Sequence, residues 1–232
     1  MLSVRAAYHE QTPLAAAAAA YDRGDFVAAA ELFSELAEAG DVEAITWLGA
    51  LYAHGEGVEA SLAKAFALYL KAAEAGNVLA QTNVGAMLAM GQGVAQDPVE
   101  GARWLEQAAE QGDLFAQYNL ATLYSKGQGV ARDDAAAMRW YCRAAEAGHY
   151  PSQARLGFIC ANGVGVEKDR VQGYVWLSLA AQHGVGNALN ALEAIASQMS
   201  TDEKRRGAAA VAQWRSKTPE ISRHARLNPT PG

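Results

Sequence analysis

The chain has 232 residues, is 51% hydrophobic and carries a formal net charge of −6, which is enough apolar content for a buried core and excludes a disordered polyelectrolyte. The charge is uneven, with a net of −10 over residues 1–200 and +4 over residues 201–232. An acidic body excludes a nucleic-acid binder built on a basic face, and the basic end reads as cations near a helix C-terminus.

Much of the apolar fraction is alanine, the best helix former. Three of the six prolines, Pro219, Pro229 and Pro231, fall in the last fourteen residues. The composition therefore points to an all-α protein. The stretch TPLAAAAAAYDRGDFVAAAELFSELAEAG at 12–40 predicts a helix, a turn at Arg23–Gly24 and a second helix ending at Gly40. Residues 1–40 are taken as an N-terminal capping helix pair. Leu14–Ala20 is apolar, but Glu10 precedes it and Asp22 and Asp25 follow, so it reads as a helix and not as a signal peptide. No run of 18 apolar residues exists, and no membrane span is expected.

Four segments of 36 residues then align without a gap, at 41–76, 77–112, 113–148 and 149–184. Each predicts two helices. Asp41, Asn77, Asp113 and His149 open the first helix, and three of them are strong N-cap types. A Gly-x-Gly-Val motif follows at 55–58, 91–94, 127–130 and 163–166. Its first glycine suits a left-handed C′ position, its second a tight reversal, and its valine a plug between the helices. Ser61, Asp97, Asp133 and Asp169 cap the second helix, and Glu100 and Gln172 stand where a capping box would place them. Trp104, Trp140 and Trp176 share a column with Leu68, paired alanines follow, and Gly76, Gly112, Gly148 and Gly184 close the repeats. Gly49, Gly85, Ala121 and Gly157 form a small-residue column inside the first helix, which predicts close helix crossing. Residues 185–216 predict a C-terminal capping pair, one helix to about Gln198 and another whose start has a Ser200/Glu203 capping box. Residues 217–232 are expected to form a flexible basic tail.

A pair of glycines can begin a phosphate-binding loop. Here no third glycine follows at the dinucleotide spacing and no Lys-Ser/Thr follows as in a P-loop, so the motif reads as the turn of a helical hairpin. His9, His54, His149, His183 and His224 show no ligand spacing, Cys142 and Cys160 are not in a CxxC pair, and no Gly-x-Ser-x-Gly elbow occurs. Neither metal, nor cofactor, nor catalysis is expected.

The pattern A-x-x-x-L-G-x-x-Y-x-x-G-x-G-V-x-x-D, then A-x-x-W-x-x-x-A-A and a closing glycine, resembles the Sel1-like repeat, a relative of the tetratricopeptide repeat with a longer inter-helix loop. In the second repeat the match rests on Ala80, Gln81, Asn83, Val84, Gly85, Gly91, Gly93, Val94, Asp97, Ala102, Trp104, Ala108, Ala109 and Gly112. Ser61, Leu68, Ala121 and Cys160 depart from it without threatening the fold. A cysteine-rich branch of the family pairs cysteines within each repeat, a pattern this chain lacks. The resemblance implies a right-handed superhelical α-solenoid of antiparallel helix pairs that works as a non-enzymatic adaptor or scaffold for a protein or peptide.

In such solenoids the first helix of each pair lines the concave face. Transferred column by column, that face takes Trp47 and His54 from the first repeat and Thr82, Asn83 and Met90 from the second. The third repeat adds Phe115, Tyr118, Asn119, Thr122 and Lys126, and the fourth Arg155, Phe158 and Asn162. The resemblance gives the Asn column a role in holding a peptide backbone, with Arg155 suited to a carboxylate. The asparagines bonding within the solenoid is the competing expectation. Two narrower readings stand beside the general scaffold: an immunity or chaperone partner of one secreted effector, and a cell-envelope assembly component. A cytoplasmic location is expected, or a periplasmic one if an export signal belongs upstream, with a monomer or weak dimer as the state.

Overall fold

The computed structural model describes residues 12–217. The basic tail expected over 217–232 lies, beyond Lys217, outside the described residues. Among these the chain is all helical, with twelve helices and no strand. It divides into two units, Met1–Asp113 and Leu114–Gly232.

The first unit holds α1 (Pro13–Asp22), α2 (Phe26–Glu38), α3 (Val42–His54), α4 (Leu62–Glu74), α5 (Val78–Met90) and α6 (Pro98–Glu110). Each helix packs on the next, as a stack of helical hairpins. One continuous core runs through them, from Ala17 and Phe33 through Leu51 and Tyr69 to Val84 and Met87. The apolar stretch Leu14–Ala20 forms part of α1, whose first turn is capped by Thr12 and whose Ala17 and Ala20 are buried. Gly24 takes the turn with φ of 78°.

The second unit holds α7 (Leu114–Lys126), α8 (Asp134–Glu146), α9 (Tyr150–Asn162), α10 (Arg170–Ala181), α11 (Ala188–Gln198) and α12 (Thr201–Lys217). Here α10 receives both α11 and α12 on its outer side. Ser200 and Glu203 form a reciprocal box at the start of α12. The Ser200 amide donates to Glu203 Oε2 at 2.8 Å, and the Glu203 amide donates to Ser200 Oγ at 3.2 Å.

The caps explain why the repeats break where they do. Asp41 and Asn77 each accept the amide three residues on, at 2.9 Å. Ser61, Asp97, Asp133 and Asp169 do the same for the second helices, at 3.3, 3.0, 2.8 and 3.0 Å. Each such cap contributes about 1 kcal/mol. The capping boxes expected from Glu100 and Gln172 do not form. The amides of Asp97 and Asp169, which those side chains would accept, already donate to the carbonyls of Leu88 and Cys160. These bonds close the hairpin loop, and Glu100 pairs with Arg103 instead.

Both glycines of the Gly-x-Gly-Val motif are left-handed, Gly91 at 71° and Gly93 at 70°, with near-identical values in the other repeats. The second glycine does more than reverse the chain. A Cβ on Gly57 would run into the backbone of Phe26, and one on Gly93 into the backbone of Leu62. Within each unit, the loops at Gly57, Gly93 and Gly165 therefore rest on the start of the preceding hairpin's second helix, at Phe26, Leu62 and Asp134, at a spacing only glycine permits.

The small-residue column has a similarly direct cause. A Cβ on Gly49 would lie 2.9 Å from the Tyr69 ring, on Gly85 2.7 Å from Leu105 Cγ, and on Gly157 2.7 Å from Leu177 Cγ. The column Tyr69, Leu105, Tyr141 and Leu177 supplies a buried knob in each repeat. The tryptophans beside it, which stand out in the sequence, are only partly buried.

Candidate functional site

The thirteen residues expected to face a partner differ in what they can reach. In the first unit, Trp47 is half-buried and packs against the core. Its ring stacks on Phe33 at a centroid distance of 5.5 Å and an interplanar angle of 4°, and tilts against Tyr21 at 5.1 Å. Thr82 is 4% exposed, and its hydroxyl is shared between the Val78 carbonyl at 3.1 Å and Asp113 Oδ1 at 3.0 Å. Both side chains are committed to internal contacts. His54 is exposed at the end of α3, with Nδ1 2.9 Å from the Ala50 carbonyl. Met90 is 58% exposed at the end of α5. The Asn83 side chain is half-buried and makes no hydrogen bond among the described residues.

The second unit concentrates the remainder on α7 and α9. Thr122 is tied to the Tyr118 carbonyl at 3.0 Å and lies 2.9 Å from the Tyr141 hydroxyl. Tyr118 stands edge-on to Tyr141 at 5.6 Å. Burial raises the Tyr118 phenol pKa, the Tyr141 neighbour adds to the rise, and Arg155 opposes it, which places the guanidinium within electrostatic reach of that ring. Arg155 is exposed and has no ion-pair partner among the described residues. It lies 5.9 Å from the centroid of Phe158, whose side chain is 45% exposed. Asn119 is half-buried with no side-chain hydrogen bond. The competing expectation, that the asparagine column bonds internally, finds no such bond at Asn83 or Asn119. Lys126 is exposed at the end of α7. Asn162 is exposed and donates to the Phe158 carbonyl at 2.9 Å.

Phe115 and Tyr118 lead to a residue that sequence reasoning placed only as a helix cap. Both rings pack on His149, at 5.1 and 5.4 Å. His149 stands at the N-cap of α9 but makes no side-chain cap bond. Its Nδ1 is 2.8 Å from Ser152 Oγ, and its Nε2 is buried without a partner. Burial holds its pKa down at about 4, so the imidazole is neutral at pH 7. The sequence signal was a histidine in a column that otherwise holds Asp or Asn.

A second missed set is internal. Gln81 and Gln153 are buried, and each donates to a carbonyl in the last turn of the preceding helix, Ala73 at 3.4 Å and Ala145 at 3.0 Å. The Gln81 carbonyl accepts from Gln111 at 2.8 Å. Gln81 and Gln153 join hairpin to hairpin, and they stand 72 residues apart, two repeat lengths, in the sequence.

Among the described residues no group of three His, Cys, Asp or Glu side chains is placed to hold a metal. No helix among them is long and apolar enough to cross a membrane.

Comparison with known proteins gives the repeats a name. The Sel1 repeat matches at residues 42–77, 78–113, 114–149 and 151–185. No match is found among curated proteins. Among solved structures, a Sel1 repeat protein from Oxalobacter formigenes is 32% identical with a TM-score of 0.72, covering 77% of this chain and 73% of that one. The c5321 protein, a protective antigen of uropathogenic Escherichia coli with an SLR fold, is 29% identical with a TM-score of 0.78. That match covers 88% of this chain and 44% of the other, so the chain spans less than half of that protein's length. The immunity protein Pa5087 from Pseudomonas aeruginosa, at 21% identity and a TM-score of 0.53, covers 93% of this chain and 88% of its own and shares the fold. Sel1 repeat proteins are in general interaction scaffolds rather than enzymes, and on four matched repeats this chain belongs to the Sel1 repeat family.

Proposed function

We propose that the protein is a non-enzymatic scaffold that holds an extended segment of a protein partner against the α7–α9 face of its second unit. The observation that carries this reading is the set Asn119, Arg155 and Phe158. It combines an amide with no internal bond, a guanidinium with no counter-ion and an exposed ring beside it. An amide donates and accepts at once and so pairs with a peptide group, a guanidinium takes a carboxylate in fork geometry, and an exposed aromatic is the kind of anchor that dominates interface energy. Tyr118 and Phe115, fixed against His149, form the floor. The helix pair α1–α2 acts as a cap on the first repeat within the first unit, and α11–α12 as a cap on the last repeat within the second. Two free thiols, Cys142 and Cys160, support a reducing compartment such as the cytoplasm.

The test is the affinity of a purified partner for Asn119→Ala and Arg155→Ala. Each is expected to weaken binding, by roughly tenfold for the arginine, without changing the melting temperature. Unchanged affinity in both rejects the α7–α9 face. A role as a dedicated immunity protein would add tight one-to-one co-purification with a single toxin, and the fold likeness to Pa5087 makes that stoichiometry worth measuring.

A further inference from the structure

The last three helices of the second unit enclose a groove of about 450 Å³. Its floor is α10, at Tyr174 and Ser178. Its walls are α11, at Leu189 and Leu192, and α12, at Val211 and two alanines. Arg215 stands among the lining residues near the end of α12. Three features separate it from ordinary helix packing. Ser178 is 7% exposed and its hydroxyl has no hydrogen-bond partner, although burying an unpaired hydroxyl costs stability. Arg215 is exposed and makes no ion pair among the described residues. Leu189 is 55% exposed at the lip.

The first unit offers an internal comparison, because it carries a groove of similar volume between α2, α3 and α4. There the serine is satisfied, Ser34 donating to the Ala30 carbonyl at 2.7 Å. One of its two cations is used as well, with Lys64 placed 5.0 Å from the Tyr52 ring centroid, while Lys71 also lines it. Of these two grooves among the described residues, the one in the second unit combines a buried unpaired hydroxyl with a guanidinium, the cation whose fork fits a carboxylate.

We infer that this groove binds the C-terminal end of a partner polypeptide that finishes in apolar residues. The chain-terminal carboxylate takes the Arg215 fork. The Ser178 hydroxyl, covered in the unliganded chain, turns into the groove and gains from the last peptide groups the hydrogen bond it lacks, and the apolar side chains lie on Leu189, Leu192 and Val211. A peptide end joins these three chemistries within a few atoms, and this class of ligand matches the lining. None of the residues is shared with the α7–α9 face, so this inference stands or falls apart from that one.

The probe is acetyl-Ala-Val-Leu-Leu, as the free acid and as its carboxamide, titrated into the full chain and followed by calorimetry and by amide chemical shifts. The free acid is expected to bind with shifts centred on α10–α12, and the carboxamide roughly tenfold more weakly. Arg215→Gln should bring the acid down to the level of the amide. Ser178→Ala should weaken both forms severalfold while melting no lower than wild type, since it removes an unpaired hydroxyl, so misfolding cannot mimic the result. Equal affinity of acid and amide overturns the inference, as does full-strength binding by Arg215→Gln. Octanoate binding as tightly as the peptide would give the groove to a free acid instead. Peptide binding that appears only after removal of residues 218–232 would give it to the chain's own end. Either result also overturns the inference.

Discussion

Leu105 occupies the space that a side chain on Gly85 would fill: a Cβ at position 85 would sit 2.7 Å from Leu105 Cγ and 2.9 Å from the Gly101 carbonyl oxygen. One neighbour is a side chain and the other is backbone, so only part of the clash can relax. Gly85→Ala is expected to destabilise the fold by about 1–3 kcal/mol through overpacking, against the roughly 1 kcal/mol that helix propensity alone would add in its favour. Denaturant unfolding decides the sign. A stabilised Gly85→Ala would show that the helices are not in contact there.

The loop glycines separate strain from collision. Gly76 has a φ of 89° and open space around its absent side chain, so Gly76→Ala should cost only the left-handed penalty, about 1–2 kcal/mol. Gly93 has a φ of 70° and faces the backbone of Leu62. Gly93→Ala should cost more than Gly76→Ala, by several °C of melting temperature. Equal losses would mean that the loop does not rest on the preceding hairpin.

His149 makes stability depend on pH. Its pKa falls from 6.5 to about 4 on folding, because burial disfavours the imidazolium. Between those values the unfolded chain binds the proton and the folded chain does not. Its contribution is therefore complete above pH 6.5 and is lost as pH falls toward 4, by up to about 3 kcal/mol. His149→Asn, which mimics the capping Asn77, should flatten that slope in unfolding measurements at pH 4.5 and pH 7.5. A slope unchanged by the substitution would assign the acid sensitivity elsewhere.

The thiols should be sluggish. Burial raises Cys142, and it lifts Cys160 to about 11 with help from the Cys142 and Asp169 charges. At pH 8 Cys160 should react with a disulfide reagent on the order of a hundredfold more slowly than in the unfolded chain, with Cys142 ahead of it. Rapid labelling of both in native buffer would contradict the packing around them.

Most of the fold was legible because its signals repeat. The caps at Ser61, Asp97, Asp133 and Asp169, the glycine turns and the Ser200/Glu203 box are local chemistry, and the structure has each of them. The capping boxes at Glu100 and Gln172 fail because the amides they need are used by carbonyls nine residues earlier, across the hairpin loop. Local spacing cannot register that competition. The tryptophan column drew the eye by residue type, while the buried knob is its neighbour, Leu105 or Tyr141, because helix rotation within a hairpin is set by tertiary packing. The face proposed for a partner was legible only as columns. Which members are free, Asn119 and Arg155, and which are consumed, Trp47 and Thr82, depends on contacts between helices.

The central claim is that the α7–α9 face holds a partner. Its most direct measurement is the dissociation constant of a purified partner for the wild-type chain and for the double variant Asn119→Ala/Arg155→Ala, at matched melting temperature. The account predicts a loss of affinity of at least roughly tenfold, with the unfolding curve unmoved. An unchanged dissociation constant would contradict it.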